Sequence, residues 1–277
     1  MSGLTHVVGI DPGSTMLGIS AFRLTGSSAE LVGLASVRVG DDLLTGTRVG
    51  VRNVLADWAV PWQSPTCGWS VEHAPPTAHA DVGHGAQAVI GWGLAASAYT
   101  VLGAFCHGPH RVILPTPWRE KMLITGARHR LLIEKPSRKV AAPPRPVKVN
   151  NVLGPVKRDG DAWVSTYRGC GHPVRIVGDY QVLTTTTIPP CPVCAAPPTE
   201  TTRTGDQVRD LWKAAACRFV GHLWPEHYAA VVRDARSRAR TNPPDHHLVG
   251  VSDACEAVGI GVAGVIDLVG DRTTFDR

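Results

Sequence analysis

The stretch His6 to Ser20, HVVGIDPGSTMLGIS, constrains the fold more than any other part of the chain. An apolar run ends in a single carboxylate, Asp11, turns through Pro12 and Gly13, and becomes apolar again. Short apolar runs bounded by Pro and Gly suit buried strands. The pattern therefore predicts strands over 6–11 and 17–24 joined by the tight turn DPGSTM, with a third over 30–37. Helical spacing of Leu44, Val51, Val54, Leu55 and Trp58 predicts a helix over 41–59. GWSVEHA then reads as a buried fourth strand that again ends in one acid, Glu72. After the loop PPTAHADVGH, a long helix is expected over 85–102, whose Gly91, Gly93, Ala95, Ala96 and Ala98 would let another backbone approach. RVILP is a fifth strand, so the expected class is α/β, a five-stranded sheet flanked by helices.

The remainder of the chain differs in character. Between Arg128 and Arg158 the basic residues Arg128, Arg130, Lys135, Arg138, Lys139, Arg145, Lys148, Lys157 and Arg158 accompany one acid, Glu134, and five prolines interrupt any regular element. This reads as an insertion, giving three segments: 1–126 as the first part of a core, 127–206 as a basic, proline-rich insertion, and 207–277 as C-terminal helices of the core. YRGCGHPVRIV and TTTTIPPCPVC predict two short strands in the insertion. Helices are expected over DQVRDLWKAAACRFVGHLW, PEHYAAVVRDARSRA and VSDACEAVGIGVAGVI.

Composition bounds the function. The 277 residues are 43% hydrophobic, enough for a sizeable core. No stretch approaches the roughly 20 apolar residues of a membrane helix and the N-terminus lacks signal-peptide regions, so a cytoplasmic protein with no membrane partner is expected. The net charge of +5 is mild, and its concentration in the insertion is what points to a polyanionic partner. Seven cysteines, an odd number, suit a reducing compartment and a metal site better than a disulfide framework. Cys170, His172, Cys191 and Cys194 form a CxH pair and a CxxC pair, the donor set of one tetrahedral structural zinc. Such a site would stabilise an insertion too small for its own core and present cations to phosphates. The other cysteines lie in apolar contexts and read as core residues.

The acids carry the chemistry. One strand-end carboxylate can serve only the next turn. Asp11 and Glu72 both end buried strands, however, while Asp253 and Glu256 are three apart on one helix and share a face. Like charges brought together repel unless cations lie between them, so the set points to metal.

The motif GIDPGSTMLGIS resembles the first strand and turn of RuvC-type Holliday junction resolvases. SVEHA, GAQAVIGWGLAASA, WREKMLITG, LWKAAACRFV and VSDACEAVGIG resemble that family's later landmarks, in order, over roughly residues 5–126 and 207–265. The chain departs from the pattern at Glu256, where the family usually has aspartate, and at Leu17, where it has threonine. The resemblance implies an RNase H-like mixed five-stranded sheet with its first and fourth strands adjacent, and an endonuclease that cuts branched DNA as a homodimer. It further implies two Mg²⁺ ions, with Mn²⁺ as a substitute, held by Asp11, Glu72, Asp253 and Glu256. Lys121 and Lys213 would contact the DNA backbone or stabilise developing charge, and Arg128, Arg130, Lys135, Arg138 and Lys139 would contact phosphates. His246 and His247 lie close enough in sequence to join the metal site, but a solvated helix start is the better explanation of both. Two rivals remain: an actin-like or sugar-kinase-like ATPase, disfavoured by the absence of a second phosphate motif, and a non-catalytic DNA-binding protein on a nuclease scaffold. DHH at 245–247 also resembles DHH phosphoesterases, but it neither ends an apolar strand nor has their companion aspartates.

Overall fold

The computed structural model describes residues 3–13, 15–39, 43–73, 98–136, 153, 157–167, 170–177, 191–194, 204–241 and 243–276. They form two compact units, residues 1–135 with 212–277 and residues 136–211. No helix among the described residues is long and apolar enough to cross a membrane.

The larger unit is α/β. Strands β1 (His6–Asp11), β2 (Met16–Thr25) and β3 (Ser28–Arg38) form an antiparallel meander, because the turns after β1 and β2 are too short for a crossover. Helix α1 (Leu43–Asp57) leads to β4 (Cys67–Glu72), which pairs parallel with β1, and β5 (His110–Ile113) pairs parallel with β4. Residues 98–105 form helix α2. The rest of the predicted helix over 85–102, including Gly91 and Gly93, lies outside the described residues. The sheet is mixed and flanked by helices, with β1 between β2 and β4 as the RNase H-like arrangement requires. One strand was not legible in the sequence: three residues, Thr274–Asp276, pair parallel with β3 and make the sheet six-stranded. So short a segment has no periodicity of its own and is strand only because β3 offers an open edge.

Alternation along the strands sorts the two faces. Val8, Ile10, Leu17, Ile19, Trp69 and Val71 point to one side and pack with Val51 and Leu55 of α1 and Val101 and Phe105 of α2. The opposite side carries Gly9, Gly18, Ser20, Gly68 and Ser70, and on it lies helix α6 (Val251–Leu268). Small residues let the helix backbone approach closely. A Cβ on Gly9 would sit 2.4 Å from the Ala257 carbonyl oxygen, and one on Gly18 would sit 2.0 Å from that of Asp253. The hydroxyls of Ser20 and Ser70 donate to the carbonyls of Ala257 and Ile260 at 2.8 and 2.9 Å. Helix α6 is buried nearly all round because α3 (Pro115–Arg128) and α5 (Pro225–Arg238) also pack on it. Helix α4 (Thr204–Leu223) contributes Trp212 onward to this unit.

The smaller unit contains an antiparallel sheet, β6 (Lys157–Asp159), β7 (Ala162–Thr166) and β8 (Pro173–Val177). Its buried cluster is Leu153, Tyr167 and Cys191, with Trp163, Cys170, Val174 and Ile176 packed against it. YRGCGHPVRIV supplies β8 and the turn before it, whereas most of TTTTIPPCPVC lies outside the described residues. The hairpin β6–β7 went unread in the sequence because KRDGDAWVST lacks apolar alternation on its first strand.

Candidate metal centre

Asp11 occupies the last position of β1, in phase with Val7 and Gly9, so it points to the α6 side of the sheet. Glu72 ends β4 in phase with Ser70 and faces the same way. Asp253 lies in the first turn of α6 and Glu256 one turn further on. Carboxylate oxygens of Asp11, Asp253 and Glu256 all lie within 4.8 Å of one another. Glu72 stands beside this trio and is fixed by the indole of Trp118, whose Nε1–H donates to its Oε2 at 2.8 Å. Trp118 reaches it because residue 259 is glycine: a Cβ there would lie 2.7 Å from the indole ring.

The electrostatics follow from crowding and burial. The Asp11 carboxyl is pushed well above the usual carboxylate range by burial first, then by the charges of Glu256, Glu72 and Asp253; Lys213 opposes the shift. Glu256 is pushed up to about 7 by burial and by Glu72, while Lys213 and Arg119 pull the other way. A site in which the carboxyls resist ionisation together is one that takes up protons or a cation. All its donors are hard oxygens, which suit Mg²⁺ or Mn²⁺ rather than a soft metal.

The cations expected near the acids are placed differently from one another. Lys213 of α4 lies within electrostatic reach of Asp11 and Glu256. Lys121 instead pairs with Asp267. Arg119, two residues earlier, carries its Nη2 to 3.9 Å from Glu256 Oε1. Arg128 donates to the Asp271 carbonyl at 2.9 Å, Lys135 to Glu120 at 3.0 Å, and Arg130 is exposed. Arg138 and Lys139 lie outside the described residues. His246 and His247 stack edge to face in a 3₁₀ turn, and neither belongs to the acidic cluster among the described residues. Trp118, Arg119 and Trp212 were missed in the sequence. Nothing in the spacing of WRE or LWK marks a side chain that reaches across to an acid on another element.

In the smaller unit, ligand atoms of Cys170, His172, Cys191 and Cys194 lie within 4.8 Å of one another. The first pair sits on a turn closed by the Gly171 N–H to the Tyr167 carbonyl at 2.7 Å, with Gly171 left-handed at φ 72°. In the second pair, burial disfavours the Cys191 thiolate, but the backbone N–H groups of Cys194 and Val193 point at its sulfur and bring the thiol down to about 6. His172 Nδ1 lies 3.4 Å from that sulfur. Three cysteines and one histidine thus bring four ligand atoms together, of the donor types that structural zinc takes.

No family model matches the sequence, and no curated protein matches it. Among solved structures, Thermus thermophilus RuvC in complex with a Holliday junction substrate is similar at 20% identity and a TM-score of 0.32, over 50% of this chain and 84% of that one. A second Thermus thermophilus RuvC structure is similar at 19% identity and a TM-score of 0.31, with the same coverage.

Proposed function

We propose that the chain is a metal-dependent endonuclease that hydrolyses phosphodiesters in branched DNA, Holliday junctions or related forks. The observation that carries this reading is the convergence of Asp11, Asp253 and Glu256 from β1 and α6, with Glu72 oriented beside them. The branched-DNA substrate rests on the resemblance of GIDPGSTMLGIS and the landmarks after it to RuvC-type resolvases. Asp11, Glu72, Asp253 and Glu256 would hold two Mg²⁺ ions, whose bound state supplies a low-pKa water and neutralises charge at the phosphate. Trp118 fixes the Glu72 carboxylate, and Lys213 sets positive potential at the rim. Cys170, His172, Cys191 and Cys194 would hold one structural zinc, and the basic insertion would lie along phosphates. Opposed incisions on two strands would be made by a homodimer, which supplies two sites related by a two-fold axis.

The test is cleavage of four-way, forked and linear DNAs of matched sequence in Mg²⁺ by the wild type and by Asp11→Asn. The wild type should cut branched DNA and Asp11→Asn should bind without cutting. Equal cutting by the two proteins refutes the acidic site, and equal cutting of linear and branched DNA refutes the substrate class.

A further inference from the structure

Arg119 is the cation nearest the acids on α3, and its surroundings are unusual. Its guanidinium carbon lies over the Trp118 ring and over the Trp212 ring, 5.2 Å from each centroid. Glu256 is its ion-pair partner at 3.9 Å, which is beyond hydrogen-bonding distance. Its Nε is buried and has no hydrogen-bond partner among the described residues. The side chain is only 21% exposed, so most of it has left water.

These features are costly for a purely structural arginine. A buried N–H without an acceptor loses its hydration and gains nothing in return, and an Arg that served Glu256 would close to bidentate contact with it. Here aromatic faces hold the guanidinium instead. Indole faces attract the cation without consuming its N–H groups, and they fix its orientation before any ligand arrives. A guanidinium held between two indoles beside a carboxylate cluster, with no hydrogen bond closer than its 3.9 Å ion pair among the described residues, matches an oxyanion offering two acceptor oxygens.

We propose that Arg119 is the phosphate-binding residue of this site, its terminal Nη N–H groups taking the oxygens of a substrate phosphodiester beside the acids, with Trp118 and Trp212 as its clamp. This rests on the nuclease reading above and names a group that reading leaves unassigned. Trp118 then does two jobs on one ring: its N–H positions Glu72, and its face supports Arg119.

The experiment measures DNA affinity against salt in the full chain, in the Asp11→Asn background with Mg²⁺, using a synthetic four-way junction and a linear duplex. Arg119→Gln should weaken binding to both DNAs about tenfold and flatten the slope of log affinity against log salt by about one. Arg119→Lys should keep the slope and lose part of the affinity. Trp212→Phe, which leaves the charge in place, should also keep the slope and weaken binding by a smaller factor. Mn²⁺ affinity of Arg119→Gln with Asp11 intact, followed by electron paramagnetic resonance, should not fall below that of wild type, because the variant removes a cation and no ligand. An unchanged slope and affinity in Arg119→Gln overturns the proposal. So does an unchanged slope with weakened Mn²⁺ binding, which would make Arg119 a positioning residue for Glu256. If Asp11→Asn still cuts DNA while Arg119→Gln flattens the slope by about one, the acidic reading falls and the phosphate contact stands. If the parent protein binds neither DNA, both fall.

Discussion

Replacing Glu256 by Gln in the metal-free protein should raise stability at neutral pH and do little under acid conditions. Glu256 ordinarily titrates near 4.5, and in the folded chain burial and the Glu72 charge push it up to about 7. A carboxyl whose folded pKa is raised binds its proton more tightly when folded. Its contribution is therefore complete below pH 4.5 and is lost as pH rises through about 7. Above that window the ionised, buried carboxylate costs the folded state about 3 kcal/mol, at roughly 1.4 kcal/mol for each tenfold change in proton affinity. Glutamine keeps the shape of the protonated acid and cannot ionise. Melting followed by circular dichroism, with divalent cations withheld, should thus show Glu256→Gln melting about 6–12 °C above wild type at pH 7.5, since about 1 kcal/mol corresponds to 2–4 °C in a unit of this size. At pH 4.5 most of that difference should be gone. Mg²⁺ should raise the wild-type midpoint more at pH 7.5 than at pH 5, because the cation competes with protons for the same oxygens. A gap between the two proteins that is the same at both pH values, or wild type the more stable at pH 7.5, would refute the argument that burial and like charge strain this site.

The purified chain should carry about one zinc, and Cys191→Ser with Cys194→Ser should lose it, since two remaining ligands cannot close a tetrahedral site; metal analysis of both proteins decides this, and unchanged zinc in the double variant removes the assignment. Near-ultraviolet circular dichroism of that variant should still report the packed tryptophans Trp69 and Trp118 of the larger unit. Gly18→Ala should destabilise by about 1–3 kcal/mol, as expected when a well-packed site is overfilled, because its Cβ would meet the Asp253 carbonyl at 2.0 Å. It should also weaken Mn²⁺ binding, since relief of the clash moves the turn that carries Asp253. A wild-type melting midpoint for Gly18→Ala would contradict the close approach of β2 and α6.

The site divides between what local pattern carries and what only packing decides. Strand alternation is a property of the backbone, so HVVGID and GWSVE by themselves determine that Asp11 shares a face with Gly9 and Glu72 with Ser70. Helical spacing likewise puts Asp253 and Glu256 on one side of α6, and the CxH and CxxC spacings make two ligand pairs. Periodicity states which face a residue occupies but not what will lie opposite. The close docking of α6 on Gly9 and Gly18, which brings Asp253 and Glu256 to Asp11, is a long-range contact that only the folded sheet creates. The same holds for the cations. Lys121 and Arg119 lie two positions apart on α3, and one pairs with Asp267 while the other reaches Glu256. That choice depends on the crossing of α3 over α6 and on the indoles of Trp118 and Trp212, which no local pattern encodes. The sixth strand is another tertiary outcome, for Thr274–Asp276 becomes strand only against the open edge of β3. Proline and charge in the sequence are the basis for expecting an insertion over 127–206. The larger unit, however, extends to Lys135 and resumes at Trp212, because contacts such as Lys135 with Glu120 and Trp212 with Arg119 join those residues to α3. Composition changes where the chain stops alternating, whereas a compact unit ends where its packing does.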